Sequence, residues 1–466
     1  MLGCIKVFKP NLFFRLNIHL FKFTRNFLTA AAICTFDFAN IEPLIIMDKR
    51  TFLKSTTLLG VAALTPFPSI AAWIKNFEEK TALELASDET FWKGIRADYR
   101  LKPDYINLEG GYYCILPKAT LEKQLKHIRD INYEGSYYMR TRQFEDKAMM
   151  VDKLAKLAGC SSEELIITRN TTESLDMIIA GWPWQAGDEA LMAEQDYGSM
   201  LNMFQQVAKR HGMVNKIVSL PNHPKSDEEI VNLYAEAITT KTKLLMVCHM
   251  VNITGQILPI RKICDMAHSK GVKVMVDGAH AFAHIQFSIP DLHCDYYGTS
   301  LHKWLSVPLG AGMLYVKKEN IATVWPLFGD EGRKEDDILR LNHLGTHPVS
   351  THLAIADAID YYQLIGHARK EARLRYLQNY WTGKARKLSH VEINTPEDST
   401  RSCGIANVGV RGIKPGDLAK TLLDKYKIWT VAIDGAGVHG CRITPNVYTT
   451  TDELDTFVAA LKSIGV

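Results

Sequence analysis

Cysteine pairs, an excess of either charge and long apolar spans are all missing from this chain, and each absence closes off a class of function. Nine cysteines are scattered over 466 residues with no Cys-x-x-Cys pair and no histidines clustered beside them, so neither a zinc site nor a disulfide framework is encoded. A formal net charge of +4 over this length gives no basic face for nucleic acid. No internal repeat or low-complexity tract is present. Pro66 and Pro68 follow closely on the apolar run Leu58 to Leu64, so no stable membrane span is expected. What is present is ordinary: 47% hydrophobic and 23% charged residues, in a chain long enough for two packed domains.

The N-terminal region divides in two. Residues 1–46 carry five Lys or Arg against two acids, with many Phe and Leu but no clean helical period, and read as an extension upstream of a start at Met47. Residues 47–72 resemble an export signal. A basic opening (Met47-Asp48-Lys49-Arg50-Thr51-Phe52-Leu53-Lys54) leads into the Leu58–Leu64 run, and Ser69-Ile70-Ala71 offers a small-residue cleavage site. The pair Lys49-Arg50 before Phe52-Leu53-Lys54 is twin-arginine-like, with Lys49 in the place of the first arginine. A periplasmic or exported protein is the expectation; an uncleaved leader on a cytoplasmic protein is the alternative.

After an N-terminal segment, 73–115, strand-length apolar runs alternate with helical patterns. The runs are Leu165–Thr168, Ala190–Ala193, Lys216–Leu220, Leu244–Cys248, Val272–Val276 and Met313–Val316, and Ile260 to Lys270 between two of them has helical spacing. This alternation predicts an α/β fold with a mainly parallel, doubly covered sheet over 116–350, binding its ligand at the strands' carboxyl ends. One long helical segment, Thr351 to Leu388, would then link to a smaller α+β domain, the two together making up 351–466.

Two residues concentrate the chemistry. Asp277 follows the run Val272–Val276, and Lys303 lies 26 residues later in Gly298-Thr299-Ser300-Leu301-His302-Lys303-Trp304. An acid at the mouth of the crevice can pair with a ring N–H⁺, though alone an acid ending a strand is more often just a helix N-cap. A lysine held beside Ser300 and His302 can lose its proton and act as a Schiff-base amine, although most lysines are solvated surface charges. Thr168-Arg169-Asn170-Thr171-Thr172-Glu173 opens a helical run and offers backbone N–H groups and two hydroxyls to an anion; a plain N-cap reads equally well. A Schiff-base amine, a carboxylate for a pyridinium nitrogen and donors for a phosphate are together what pyridoxal phosphate requires.

Asp277-Gly278-Ala279-His280-Ala281, then Ser300-Leu301-His302-Lys303-Trp304, then Leu309-Gly310-Ala311-Gly312 resemble, in order and spacing, the class V aminotransferase superfamily. This is the fold-type I group of pyridoxal phosphate enzymes that includes cysteine desulfurases, and the likeness is to its isopenicillin N epimerase-like branch. It extends from about Ile106 to near the C-terminus. The resemblance implies that Lys303 holds the cofactor and moves the proton at the substrate α-carbon, and that Asp277 binds the pyridine nitrogen. It further implies that Asn252 reaches the ring's phenolic oxygen with His280 nearby, while Thr171, Thr172, Ser300 and His302 hold the phosphate. Thr346, in Gly345-Thr346, would reach the phosphate of a partner subunit, making the active form a homodimer with sites shared across the interface. Gln195 aligns with the histidine that stacks on the ring in many relatives, and Tyr197 is favoured on chemistry as the aromatic face. Arg442 matches the arginine that grips the substrate carboxylate, where a guanidinium fork supplies two parallel hydrogen bonds; a surface salt bridge is the plain alternative. Arg140 and Arg142 would add a second anionic contact or simply be solvated.

The expected function is therefore action on the α-carbon of an amino acid, foremost as an aminotransferase. An amino-acid epimerase or a carbon–sulfur lyase is the alternative within the same chemistry, and a non-catalytic binding protein on the same fold is the alternative outside it. Desulfurases need a nucleophilic cysteine on a loop before the carboxylate arginine. Ile433 to Gly440 contains none, and Cys441 falls in what should be a strand.

Overall fold

Short apolar runs between turns assemble the sheet on which the molecule is organised. The computed structural model describes residues 67–464 other than Asp330 and Glu331. The upstream extension and most of the leader expected from the sequence lie outside the described residues. After β1 (Ile106–Asn107) come β2 (Leu165–Thr168), β3 (Glu189–Ala193), β4 (Val214–Val218), β5 (Thr242–Cys248), β6 (Lys273–Asp277), β7 (Tyr296–Ser300) and β8 (Gly312–Val316). The last seven form one sheet in the order β2-β8-β7-β6-β5-β3-β4. Only β8 pairs antiparallel with its neighbours, β7 and β2; the other pairs are parallel. Six strands thus run one way and deliver their carboxyl ends to a single edge, the place where an open α/β sheet binds ligands.

Strands β5, β6 and β8 are buried on both faces, which explains why they read as continuous apolar runs rather than alternating ones. One face packs against Leu154, Ile263, Trp304 and Ile355, the other against Leu175, Ile178, Met200 and Phe204. The helix Thr171–Gly181 begins directly after β2, with the Asn170 side chain accepting from Glu173 N at 2.9 Å as its cap. Gly312 makes this start possible. A Cβ there would lie 2.7 Å from the Asn170 backbone, so only glycine lets the helix start rest on the edge of β8.

The helical segment expected as one piece from Thr351 to Leu388 is two helices, Val349–Ile365 and His367–Ala385. Gly366 separates them at φ +93°, a left-handed conformation that no α-helix can contain. Beyond them β9 (Val391–Ile393), β10 (Ala406–Val410), β12 (Val431–Gly435) and β13 (Val438–Ile443) form an antiparallel sheet in the order β12-β13-β10-β9, while β11 (Ile428–Trp429) pairs with β1. This second sheet has its own core around Trp381, Leu418, Ile443 and Phe457. At the other end of the chain the helix Pro68–Lys75 buries Ile70 and Ile74 beside Trp92 and Tyr361, so Ser69-Ile70-Ala71 lies in a packed element. Among the described residues no helix is long and apolar enough to cross a membrane.

Candidate active site

The carboxyl edge of the large sheet, the start of the Thr171 helix and Arg442 of β13 enclose a cavity of about 160 Å³. Strand ends supply its floor. Asp277 closes β6 and is buried, and its Oδ1 accepts from Ala279 N at 2.9 Å, which fixes the carboxylate at the strand's mouth. Ser300 closes β7 and joins it to the helix start: its Oγ accepts from Thr171 N at 2.8 Å and lies 2.7 Å from Thr171 Oγ1. Thr172 and His302 line the same end. Backbone N–H groups, three hydroxyls and an imidazole converging on a helix start make an anion site.

Lys303 sits in a tight turn that is closed by Ser306 N donating to Lys303 O and Val307 N donating to Leu301 O, both at 3.0 Å. The turn forces Ser306 to φ +59°, a conformation that costs a non-glycine residue on the order of 1 kcal/mol. Lys303 Nζ faces the cavity 3.1 Å from His280 Nε2. Loss of water around the amine pushes its pKa down to about 8, with Asp277 opposing the shift and Arg442 adding to it. Burial also holds Asp277 above the usual carboxylate range, against the pull of Lys303. Burial depresses His302 to about 4 and His280 well below the ordinary histidine value, so both rings are neutral at pH 7.

Two polar atoms on the cavity wall, Asn252 Oδ1 and His302 Nδ1, are buried with no hydrogen-bond partner among the described residues. Both atoms are therefore available to a ligand held in the cavity. With Asp277 on the floor, Lys303 on the wall and the anion site at one end, the residues fit a phosphorylated pyridine aldehyde.

The structure brings together Thr171, Thr172, Tyr197, Asn252, Asp277, His280, Ser300, His302, Lys303 and Arg442 around one cavity. Tyr197, which precedes the helix Gly198–His211, is on the wall; Gln195 is buried elsewhere, accepting from Leu220 N at 2.9 Å and donating to Ala436 O at 3.1 Å. Thr346 is exposed and lines a separate, larger concavity of about 1210 Å³, away from Lys303 of its own chain. Arg140 and Arg142 are not on the active-site wall, and Arg142 pairs with Glu134 at 2.6 Å. Arg442 is not a surface salt bridge. It is buried, its Nε donates to Glu109 Oε2 at 3.2 Å, its Nη2 bonds the other oxygen, and its Nη1 donates to Asn252 O at 3.3 Å. Glu109 thus holds the side-on edge of the guanidinium, and Arg442 itself lines the cavity. Sequence reasoning missed Glu109 and also Tyr112, which is exposed at the cavity and belongs to the same segment. The glycines between them, Gly110 and Gly111, were the available signal: a Cβ on either would approach Thr444 to 3.0 Å.

The comparisons show the family. The chain belongs to the class V aminotransferase family, whose model, described as aminotransferase class-V, matches residues 116–457. It is 25% identical over 390 residues to the isopenicillin N epimerase of Streptomyces clavuligerus, covering 80% of this chain and 98% of that protein. It is 26% identical over 408 residues to a probable cysteine desulfurase of Synechocystis, covering 79% of this chain and 94% of the relative. Among solved structures, C-DES with glycine covalently linked to its PLP cofactor superposes with a TM-score of 0.72 at 20% identity, covering 79% and 98% of the two chains.

Proposed function

We propose that this protein is a pyridoxal phosphate-dependent enzyme acting at the α-carbon of an amino acid, foremost as an aminotransferase. The observation that carries the proposal is a single cavity holding Lys303 Nζ, the buried Asp277 carboxylate and the Thr171–Ser300 anion site. When bound there, pyridoxal phosphate supplies an electron sink for the α-carbon. Thr171, Thr172, Ser300 and His302 would hold the phosphate, Asp277 the ring nitrogen, Asn252 the phenolic oxygen and Tyr197 a ring face. Lys303 would hold the aldehyde carbon and carry the proton to and from the substrate α-carbon. The free end of the Arg442 guanidinium would take the substrate carboxylate, orienting the α-carbon toward Lys303.

The similarity to an isopenicillin N epimerase favours a second reading, return of the proton to the opposite face of the same carbon. Desulfuration has less support. Cys441 is buried in β13 with its thiol directed at Pro415 O at 3.6 Å. Cys248, on the cavity wall, has its thiol pKa raised well above normal by burial and by Asp196 and Asp277, which keeps it protonated and a poor nucleophile.

The visible absorption of the purified protein with pyridoxal phosphate, recorded with a panel of L-amino acids, tests the proposal. A visible band bleached by one amino acid with release of its keto acid supports transamination; loss of optical rotation with the band retained supports epimerisation. No band at all after adding the cofactor sinks the enzyme reading. We also propose a homodimer in which Thr346 serves the phosphate of the partner subunit. Sedimentation should give twice the chain mass, and Thr346→Ala should weaken cofactor retention; a monomer with full retention would refute this.

A further inference from the structure

Trp304 follows Lys303 in the chain and is fully buried, yet the chemistry described above makes no use of it. Its indole Nε1 donates to His280 Nδ1 at 3.3 Å. An indole nitrogen only donates, so His280 must present a lone pair at Nδ1, and the one proton of its neutral ring is then at Nε2. That nitrogen is the one 3.1 Å from Lys303 Nζ. An Nε2–H in this position needs a lone pair to accept it, and a lysine amine has one only when it is unprotonated.

The indole is itself clamped. Its ring packs on His284 with centroids 3.7 Å apart and planes 30° apart, and its backbone carbonyl accepts from Lys370 Nζ. His284 is oriented in turn. Gly404 N donates to His284 Nε2 at 2.8 Å, so the His284 proton is at Nδ1, where it donates to His280 O at 2.8 Å. Gly404 fits because of its size: a Cβ there would come within 3.0 Å of His284 Nε2. Two imidazoles and an indole therefore form a chain of defined tautomers that ends at the lysine.

We propose that Trp304 is a positioning residue that fixes the proton of His280 on Nε2 and aims it at Lys303 Nζ, holding that amine in its neutral, nucleophilic form. The charges around the pair divide as this requires. Burial and the charge of Arg442 disfavour a charged His280. Loss of water and the charge of Arg442 push Lys303 toward its neutral form, while Asp277 pulls it the other way. A hydrogen bond received by the neutral amine tips that contest further toward the free base. Trp304 touches neither cofactor nor substrate in this scheme and acts only through His280.

The inference rests on Lys303 being the reactive amine of the proposed function, so it is tested on the full chain freed of cofactor. Two readings are taken from wild type and Trp304→Phe: the His280 tautomer, by long-range proton–nitrogen NMR of ¹⁵N-histidine-labelled protein, and the pH midpoint of Lys303 acetylation by acetic anhydride, by peptide mass spectrometry. Wild type should show His280 protonated at Nε2. Trp304→Phe should lose that preference, and its Lys303 midpoint should rise by about one pH unit, the worth of one hydrogen bond. Protonation at Nδ1 in wild type, or an unmoved midpoint in a folded Trp304→Phe, overturns the proposal. Should Trp304→Phe fail to fold, His280→Phe carries the test, because it removes the donor outright and must raise the midpoint in the same way; an unmoved midpoint again overturns it. A wild type with the expected tautomer and midpoint but no visible band with pyridoxal phosphate refutes the proposed function and leaves this inference standing.

Discussion

Replacing Lys303 by alanine is expected to lower turnover of the amino acid substrate by about a thousandfold or more, with the fold retained. The size follows from the two tasks assigned to one nitrogen, binding the aldehyde carbon and moving the α-proton; positioned proton transfer by itself contributes roughly 10²- to 10⁴-fold. Cofactor would still enter, since the Thr171–Ser300 anion site and Asp277 do not depend on the lysine for their positions. It would be held without a covalent link and lost on gel filtration, with a changed visible spectrum. A small primary amine such as ethylamine should restore part of the rate by filling the space left by Nζ. Full loss without any rescue, in a variant whose melting curve has collapsed, would instead mean that Lys303 is structural.

Asp277→Asn should cost turnover on the order of a hundred- to a thousandfold, the usual scale for losing a preorganised charge at the reacting centre. Asparagine matches the carboxylate in shape and keeps an oxygen for Ala279 N, but it carries no negative charge to hold a ring nitrogen protonated. Stability should move the other way. Burial raises the folded pKa of Asp277 above its unfolded value, so the folded state binds more protons between those two values and stability falls as pH rises through that window. The cost is fully present above the raised value and absent below the ordinary carboxylate value. Apoprotein carrying Asp277→Asn should therefore melt no lower than wild type at neutral pH, and any advantage should vanish in acid. Unchanged kinetics together with a lower melting temperature would show that Asp277 is a structural cap.

Much of this was legible in the chain because the signals were local. Asp277 and Lys303 are separated in sequence by the crossover from β6 to β7, the strand β7 and a short turn, and parallel pairing of the two strands brings both residues to the same edge. Strand β7, Tyr296–Ser300, escaped notice because two tyrosines, a glycine, a threonine and a serine do not look like an aliphatic run; its burial comes from helix Thr171–Gly181 lying on Gly298. The break at Gly366 was written plainly as a glycine within a helical pattern, yet whether such a glycine bends or ends a helix depends on what the next helix packs against. Arg442 was recognised, but its buried partner Glu109 lies 333 residues away in the chain, and no local pattern couples the two.

The sequence alone determined which residue types stand at the ends of which strands, because apolar runs, turn glycines and helix caps act over a few residues. Tertiary structure decided what those residues do to one another. It set Glu109 along one edge of Arg442, turned Gln195 away while leaving Tyr197 on the wall, and placed Trp304 Nε1 against His280. Hydrogen-bond direction, tautomer and pKa are properties of neighbours in space, and those neighbours come from distant parts of the chain packed at van der Waals contact.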